Sequence, residues 1–401
     1  MKKENIKNLI QSCNINFLIG SGLSRPYLET LGNIEKWLTD LEKYKKGLKE
    51  NSYNIIKASI YKAYFENIIY PNHENQIIIK KTDYNTTLNN YKTLLLRLND
   101  IILHRNNTLL SKQINLFTSN IDIFIEKSLD ETKLESNDGF KGRLDPIFDL
   151  SNFQKSYSKT SLHYDITSEI PVFNLLKLHG SINWNRKENE ISHYRFASTN
   201  LKSIKESIEK MDPDLFISIE NNEDEEGGLT IEKLIQRADE IDLQEANVFD
   251  SFYKNYEKLV IVNPTKAKFK ETLFEEQYYE MMRIYANSLE KVNTLLFVMG
   301  FSFADEHIRS MTIRAANSNP TLQIIIFAFN ENARDEIKKN LGEWSNENIL
   351  ILSPKVFVDN SGLEEKEKQA LRKRVVQFDC STINKEIFLE VSNIIRTTSK
   401  R

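Results

Sequence analysis

The chain has 401 residues, 40% of them hydrophobic, enough for a large α/β domain with inserted lobes or for two domains. Its 54 Lys and Arg nearly balance 57 Asp and Glu, and the net charge of −3 argues against a dedicated basic surface for nucleic acid. Cys13 and Cys380 are the only cysteines, so neither a four-cysteine zinc module nor a disulfide framework can be built.

The basic N-terminus lacks the apolar core of a signal peptide. Apolar runs such as "TLLFVM" fall far short of the ~20 residues a membrane span needs. The expectation is a soluble, cytoplasmic protein with no membrane partner.

Short apolar runs that read as buried strands lie at 16–19, 114–117, 174–178, 259–262, 295–299, 323–327 and 349–352. Most are separated by helically spaced segments, the clearest at 268–289, 305–316 and 331–341. Such alternation predicts a Rossmann-like parallel sheet with helices on both faces. Residues 34–107 carry helical periodicity, best in "YKTLLLRLNDIILH", and predict an inserted, mostly helical lobe. Residues 185–255 predict a polar, partly helical insertion, in which "SIENNEDEEGGL" reads as a solvated loop. Residues 356–401 predict a C-terminal helical segment. The sheet domain would then comprise residues 1–33 and 108–355.

Polar or small residues recur where these runs end. In "NFLIGSGLSRPYLETLGN" the turn Gly20-Ser21-Gly22-Leu23-Ser24 joins a strand to a helix start, where backbone N–H groups can receive a phosphate. It is neither a dehydrogenase fingerprint, which needs Gly where Arg25 stands, nor a Walker loop, which needs a lysine. In "INLFTSNIDIFIEKSL" a strand runs into Thr118-Ser119-Asn120, with Asp122 at a helix start. Asp122 suits an N-cap and Asn120 a turn, yet both lie where open α/β sheets bind ligands.

In "NLLKLHGSINW" a strand leads into His179-Gly180. An imidazole ordinarily titrates near neutrality, which suits general-base work. In "LLFVMGFSFADEHIRSM" a strand ends at Gly300, which permits close approach of a ligand, and Ser302 can donate to phosphate or ribose. Asp305 and His307 read as helix N-terminal residues. "IIIFAFN" places Asn330 to meet an adenine or ribose edge. Five strand ends of this kind on one sheet edge imply a nucleotide crevice. The six His lack ligand spacing, so no metal is expected, and no G-x-S-x-G is present.

Together these residues resemble the sirtuin family. "GSGLS" is similar to its G-A-G-x-S turn, "TSNID" to T-Q-N-x-D, "LHG" to the catalytic histidine motif, "GFSFAD" to its G-x-S segment and Asn330 to its later asparagine. The order matches, over residues 20 to 330. Two departures mark the subclass: the zinc module is missing, and "RPYLETLGN" replaces G-I-P-D-F-R, which leaves open what takes the place of its Asp and Arg. The chain is closer to the sirtuin-like proteins of bacterial antiphage defence, "GFSFADEHI" especially.

That resemblance implies NAD as substrate and hydrolysis of its nicotinamide–ribose bond. His179 would act as general base, Asn120 would position water or ribose hydroxyls, and Asp122 would orient the nicotinamide amide or stabilise developing positive charge. Gly20, Ser21, Gly22, Ser24, Thr118, Gly300 and Ser302 would line the nucleotide site, most of them at the diphosphate, with Asn330 at the adenosine half. The chain's length resembles the subunit that assembles with a HerA-type hexameric ATPase. A homo-oligomer is expected, with nucleic acid reached only through such a complex. Two other classes stay open: a non-catalytic NAD or ADP-ribose sensor, and a protein deacylase or ADP-ribosyltransferase.

Overall fold

The computed structural model describes residues 3–30, 34–105, 107, 109–142, 144–187, 190–193, 198–219, 229–243, 247–263 and 276–399. Most of the acidic run at 218–229 and the first part of the helix expected from 268 lie outside the described residues.

Seven parallel strands form the central sheet: β1 (Asn14–Ile19), β2 (Gln113–Thr118), β3 (Ser136–Asn137), β4 (Val172–Lys177), β5 (Thr294–Met299), β6 (Leu322–Phe327) and β7 (Ile349–Leu352). Their order across the sheet is β7-β6-β5-β1-β2-β4-β3. From β1 the chain runs outward through β2, β3 and β4, then crosses back to β5 and continues to β6 and β7. The direction reverses between β1 and β5, and open α/β sheets bind ligands outside the strand ends at such a point.

The strands are apolar on both sides because both faces are covered. Phe17, Leu116, Leu175 and Phe297 pack under the helices Lys3–Ser12 and Lys81–Leu103 and the C-terminal helices after Asp379. Leu18, Phe117, Leu176 and Val298 pack under Glu276–Glu290 and Glu306–Ser318. Alternate residues along one strand point to opposite faces, which accounts for this division.

One polar line crosses the second face. Asn115 Nδ2 donates to Asn16 Oδ1 at 2.8 Å, Asn174 Nδ2 to Asn115 Oδ1 at 2.9 Å, and Asn137 Nδ2 to Asn174 Oδ1 at 3.1 Å. The four asparagines occupy one rung across β1, β2, β4 and β3. The two inner amides, Asn115 and Asn174, both donate and accept within the line, and a slip of one residue would break every bond.

A second core joins two inserts far apart in sequence. The helices Ile34–Tyr44 and Glu50–Tyr64 pack with Ser198–Glu209, Ile231–Asp239 and Asp250–Tyr256. Residues expected as a lobe at 34–107 and a separate insertion at 185–255 therefore contribute to one apolar interior. The long helix Lys81–Leu103 packs with the sheet domain instead. Ile121 and Ile182, just beyond β2 and β4, enter the second core and seat it over the strand tips.

The strand expected at 259–262 does not join the sheet. Ile261 makes one antiparallel bridge to Gly180, and the segment is wedged between two cores. Its apolar run is explained by that burial. The seventh strand is β3, whose two residues are too few to show in an apolar pattern.

Candidate active site at the strand tips

Because the sheet is all parallel, the turns after β1, β2, β4, β5 and β6 emerge on one edge. Glycine shapes the switch point. A Cβ on Gly20 would stand 2.4 Å from the Gly300 oxygen, and one on Gly300 would stand 2.4 Å from the Leu23 nitrogen. The two turns therefore touch backbone to backbone, with Gly300 at φ +63°.

Gly20 N–H donates to the Met299 carbonyl at 2.9 Å and Gly22 N–H to the Gly300 carbonyl at 3.0 Å. This corrects the expectation that these two amides point at a phosphate: they join β1 to β5. Ser21 is half-buried and Ser302 exposed on the same two turns, so their hydroxyls are the accessible ones.

Thr118 and Ser24, both expected at the nucleotide, are buried and occupied. Thr118 Oγ1 donates to the Ile19 carbonyl at 2.9 Å and accepts from the Asn120 N–H at 3.0 Å, which closes the turn after β2. Ser24 Oγ donates to Asp122 Oδ2 at 2.8 Å and lies 3.0 Å from the Tyr91 hydroxyl. Asn120 Nδ2 donates to Ser24 Oγ at 3.2 Å and to the Tyr91 hydroxyl at 3.4 Å. Asn120 is 5% exposed, and its Oδ1 is buried without a hydrogen-bond partner.

Asp122 Oδ1 also accepts from the Phe124 N–H at 3.1 Å, at the start of the helix Phe124–Thr132. Both of its oxygens are thus engaged within the protein. Burial raises the Asp122 carboxyl above its ordinary range, against the opposing pull of Lys177 and of the Ser24 and Phe124 hydrogen bonds.

The register sets the next relation. Thr118 faces Lys177 across β2 and β4, so Asn120 and His179 each follow the same rung by two residues. Leu178 N–H donates to the Thr118 carbonyl at 2.8 Å and Ile182 N–H to the Ile121 carbonyl at 3.0 Å, which ties the two turns together. Lys177, 2% exposed, donates from Nζ to the Asp122 carbonyl and pairs with Glu126 Oε1 at 3.0 Å. Ser181 Oγ lies within hydrogen-bond distance of the Ile121 carbonyl, at 3.3 Å, and of the same Glu126 oxygen, at 3.4 Å, and its one proton can go to either.

His179, 7% exposed, has Nε2 3.2 Å from Asp305 Oδ2. The other Asp305 oxygen caps the helix Glu306–Ser318, accepting from the His307 and Ile308 N–H groups at 3.0 Å each. Asp305, read from sequence as a helix-start residue only, therefore also faces the histidine. A carboxylate held by a helix cap can fix an imidazole's orientation and leave its Nδ1 for proton transfer. The turn behind His179 needs Gly180, at φ +74°, where a Cβ would meet the Val260 oxygen at 2.2 Å.

Asn330 stands apart from this group. It is exposed after β6, and its Oδ1 accepts the Ala333 N–H at 2.9 Å as the N-cap of Glu331–Leu341. A cavity of about 580 Å³ lies behind the His179 turn, lined by Arg186, Tyr256, Val260, Val262 and Tyr278 among others. Asn120, Asp122 and His179 do not line it, and the convergent chemistry belongs to the strand tips.

Sequence reading missed Tyr91, Lys177 and Glu126. Tyr91 and Glu126 sit on helical faces whose spacing announces only burial. Lys177 carried one signal, a lysine inside the apolar run of β4. Among the described residues no group of His, Cys, Asp and Glu could hold a metal ion, and no helix is long and apolar enough to cross a membrane. No protein-family model matches the chain, and no curated protein matches it.

Proposed function

We propose that the protein is an NAD+ hydrolase that cleaves the nicotinamide–ribose bond to give nicotinamide and ADP-ribose. The observation that supports this most is the placement of Asn120 and His179 two residues beyond one rung, Thr118–Lys177, on adjacent strands, with Asp305 behind the imidazole and Asn120 Oδ1 without a partner.

His179 takes a proton from water as the water oxygen bonds to C1′ of the ribose. The C1′–N bond breaks, and its electron pair leaves with nicotinamide. Asn120 Oδ1 accepts a hydrogen bond from that water or from a ribose hydroxyl. Asp122 acts at one remove, through Ser24. Ser21 and Ser302 meet the diphosphate. The sirtuin-like motifs support the choice of NAD, and the motif set resembling antiphage proteins supports NAD depletion in defence. On that reading the chain works as a homo-oligomer with a HerA-type ATPase, in the cytoplasm.

His179→Ala and Asn120→Ala should each lower nicotinamide release by about 100–10,000-fold while leaving the circular dichroism spectrum unchanged. Parental turnover in both variants would refute the assignment. The assay includes the ATPase partner as a separate arm.

A second reading of the same strand tips is a nucleotide sensor without turnover. It requires saturable NAD binding with no nicotinamide formed.

A further inference from the structure

Tyr91 lies on the helix Lys81–Leu103, 1% exposed, and its ring stacks on Phe124 with centroids 5.8 Å apart and planes 6° from parallel. That packing fixes where its hydroxyl points. The hydroxyl lies 3.0 Å from Ser24 Oγ and 3.4 Å from Asn120 Nδ2.

The directions of these bonds follow from the proton count. Ser24 has one proton, and it goes to Asp122 Oδ2. Ser24 Oγ must therefore accept from both of its other neighbours. The Tyr91 hydroxyl donates to it, and so does the Asn120 amide nitrogen. The second amide proton faces the Tyr91 oxygen. Both amide protons of Asn120 are then held by protein, and Oδ1 is the buried atom left without a partner.

We propose that Tyr91 is a positioning residue: its hydroxyl locks the Asn120 amide in the one orientation that presents Oδ1, an acceptor, to the water or ribose hydroxyl. Without that hydroxyl one amide proton loses its partner, and the amide can turn to present a donor instead. This rests on the NAD-hydrolase reading for its consequence in turnover, and not for the orientation itself.

The test compares Tyr91→Phe with Tyr84→Phe in the full chain. Tyr84 sits two turns earlier on the same helix, and its hydroxyl accepts from Lys127 Nζ at 2.6 Å, away from Asn120. Tyr91→Phe should lower kcat about tenfold, the value of one hydrogen bond, with KM for NAD within about twofold of the parent. Tyr84→Phe should change neither. An unchanged kcat in Tyr91→Phe, or an equal fall in Tyr84→Phe, overturns the proposal.

A second readout needs no turnover: hydrogen exchange of the Asn120 side-chain amide, followed by NMR. Exchange about tenfold faster in Tyr91→Phe than in the parent supports the lock, and equal rates overturn it. If the parent itself releases no nicotinamide, the hydrolase reading fails, and this exchange measurement still decides the role of Tyr91.

Discussion

Asp122 brings an electrostatic cost into the site and spreads it over several neighbours. Its carboxyl is buried, and burial lifts its pKa despite Lys177 and two hydrogen bonds. An acid whose folded pKa lies above the unfolded value of about 3.9 favours the fold while protonated. That contribution is present below the unfolded pKa and is lost as pH rises through the folded pKa. Asp122→Asn lacks this loss, although its single oxygen can serve only one of Ser24 and the Phe124 N–H. At pH 7 it should match or exceed the parent in urea unfolding, and the difference should narrow as pH falls. A variant weaker than the parent by more than about 1 kcal/mol at pH 7 would contradict this account of the carboxylate. The residue was legible as a helix-start Asp in "TSNID"; its dependence on Ser24 was not, because 98 residues separate the two.

At the scale of elements, the apolar runs at 16–19, 114–117, 174–178, 295–299, 323–327 and 349–352 all lie within or overlap sheet strands. Two-sided burial makes such strands continuous in hydrophobicity and so easy to read. The same signal misled at 259–262, where burial comes from two cores and not from strand neighbours. The asparagine line was invisible in another way. Asn16 and Asn174 stand at strand positions in the sequence, but their bonds exist only once β1, β2 and β4 are side by side. Asn115 is one of the two inner members. Asn115→Ala would leave Asn16 Oδ1 without its donor and remove the nearer acceptor of Asn174 Nδ2. A loss of about 1–3 kcal/mol in thermal unfolding is expected. No loss would mean that the line is incidental to the sheet's register.

The whole molecule sets a sheet domain beneath a second core built from residues near 34–69 and 198–259. Periodicity reported helices in both inserts but could not report that they share an interior, since that contact is non-local. Ile121 and Ile182 link the scales: each neighbours a residue of the site and each enters the second core, so lobe packing and the spacing of the Asn120 and His179 turns are mechanically joined. Gly20 and Gly22 were legible as a tight turn and Gly300 as a point of close approach, while the use of the Gly20 and Gly22 amides to join β1 to β5 was not.

The most direct measurement is incubation of the purified chain with NAD, alone and with the proposed HerA-type ATPase, followed by chromatographic identification of every product. The account predicts nicotinamide and ADP-ribose in equal amounts in at least one of the two arms, and neither from the His179→Ala chain. NAD bound but recovered whole in both arms would contradict it.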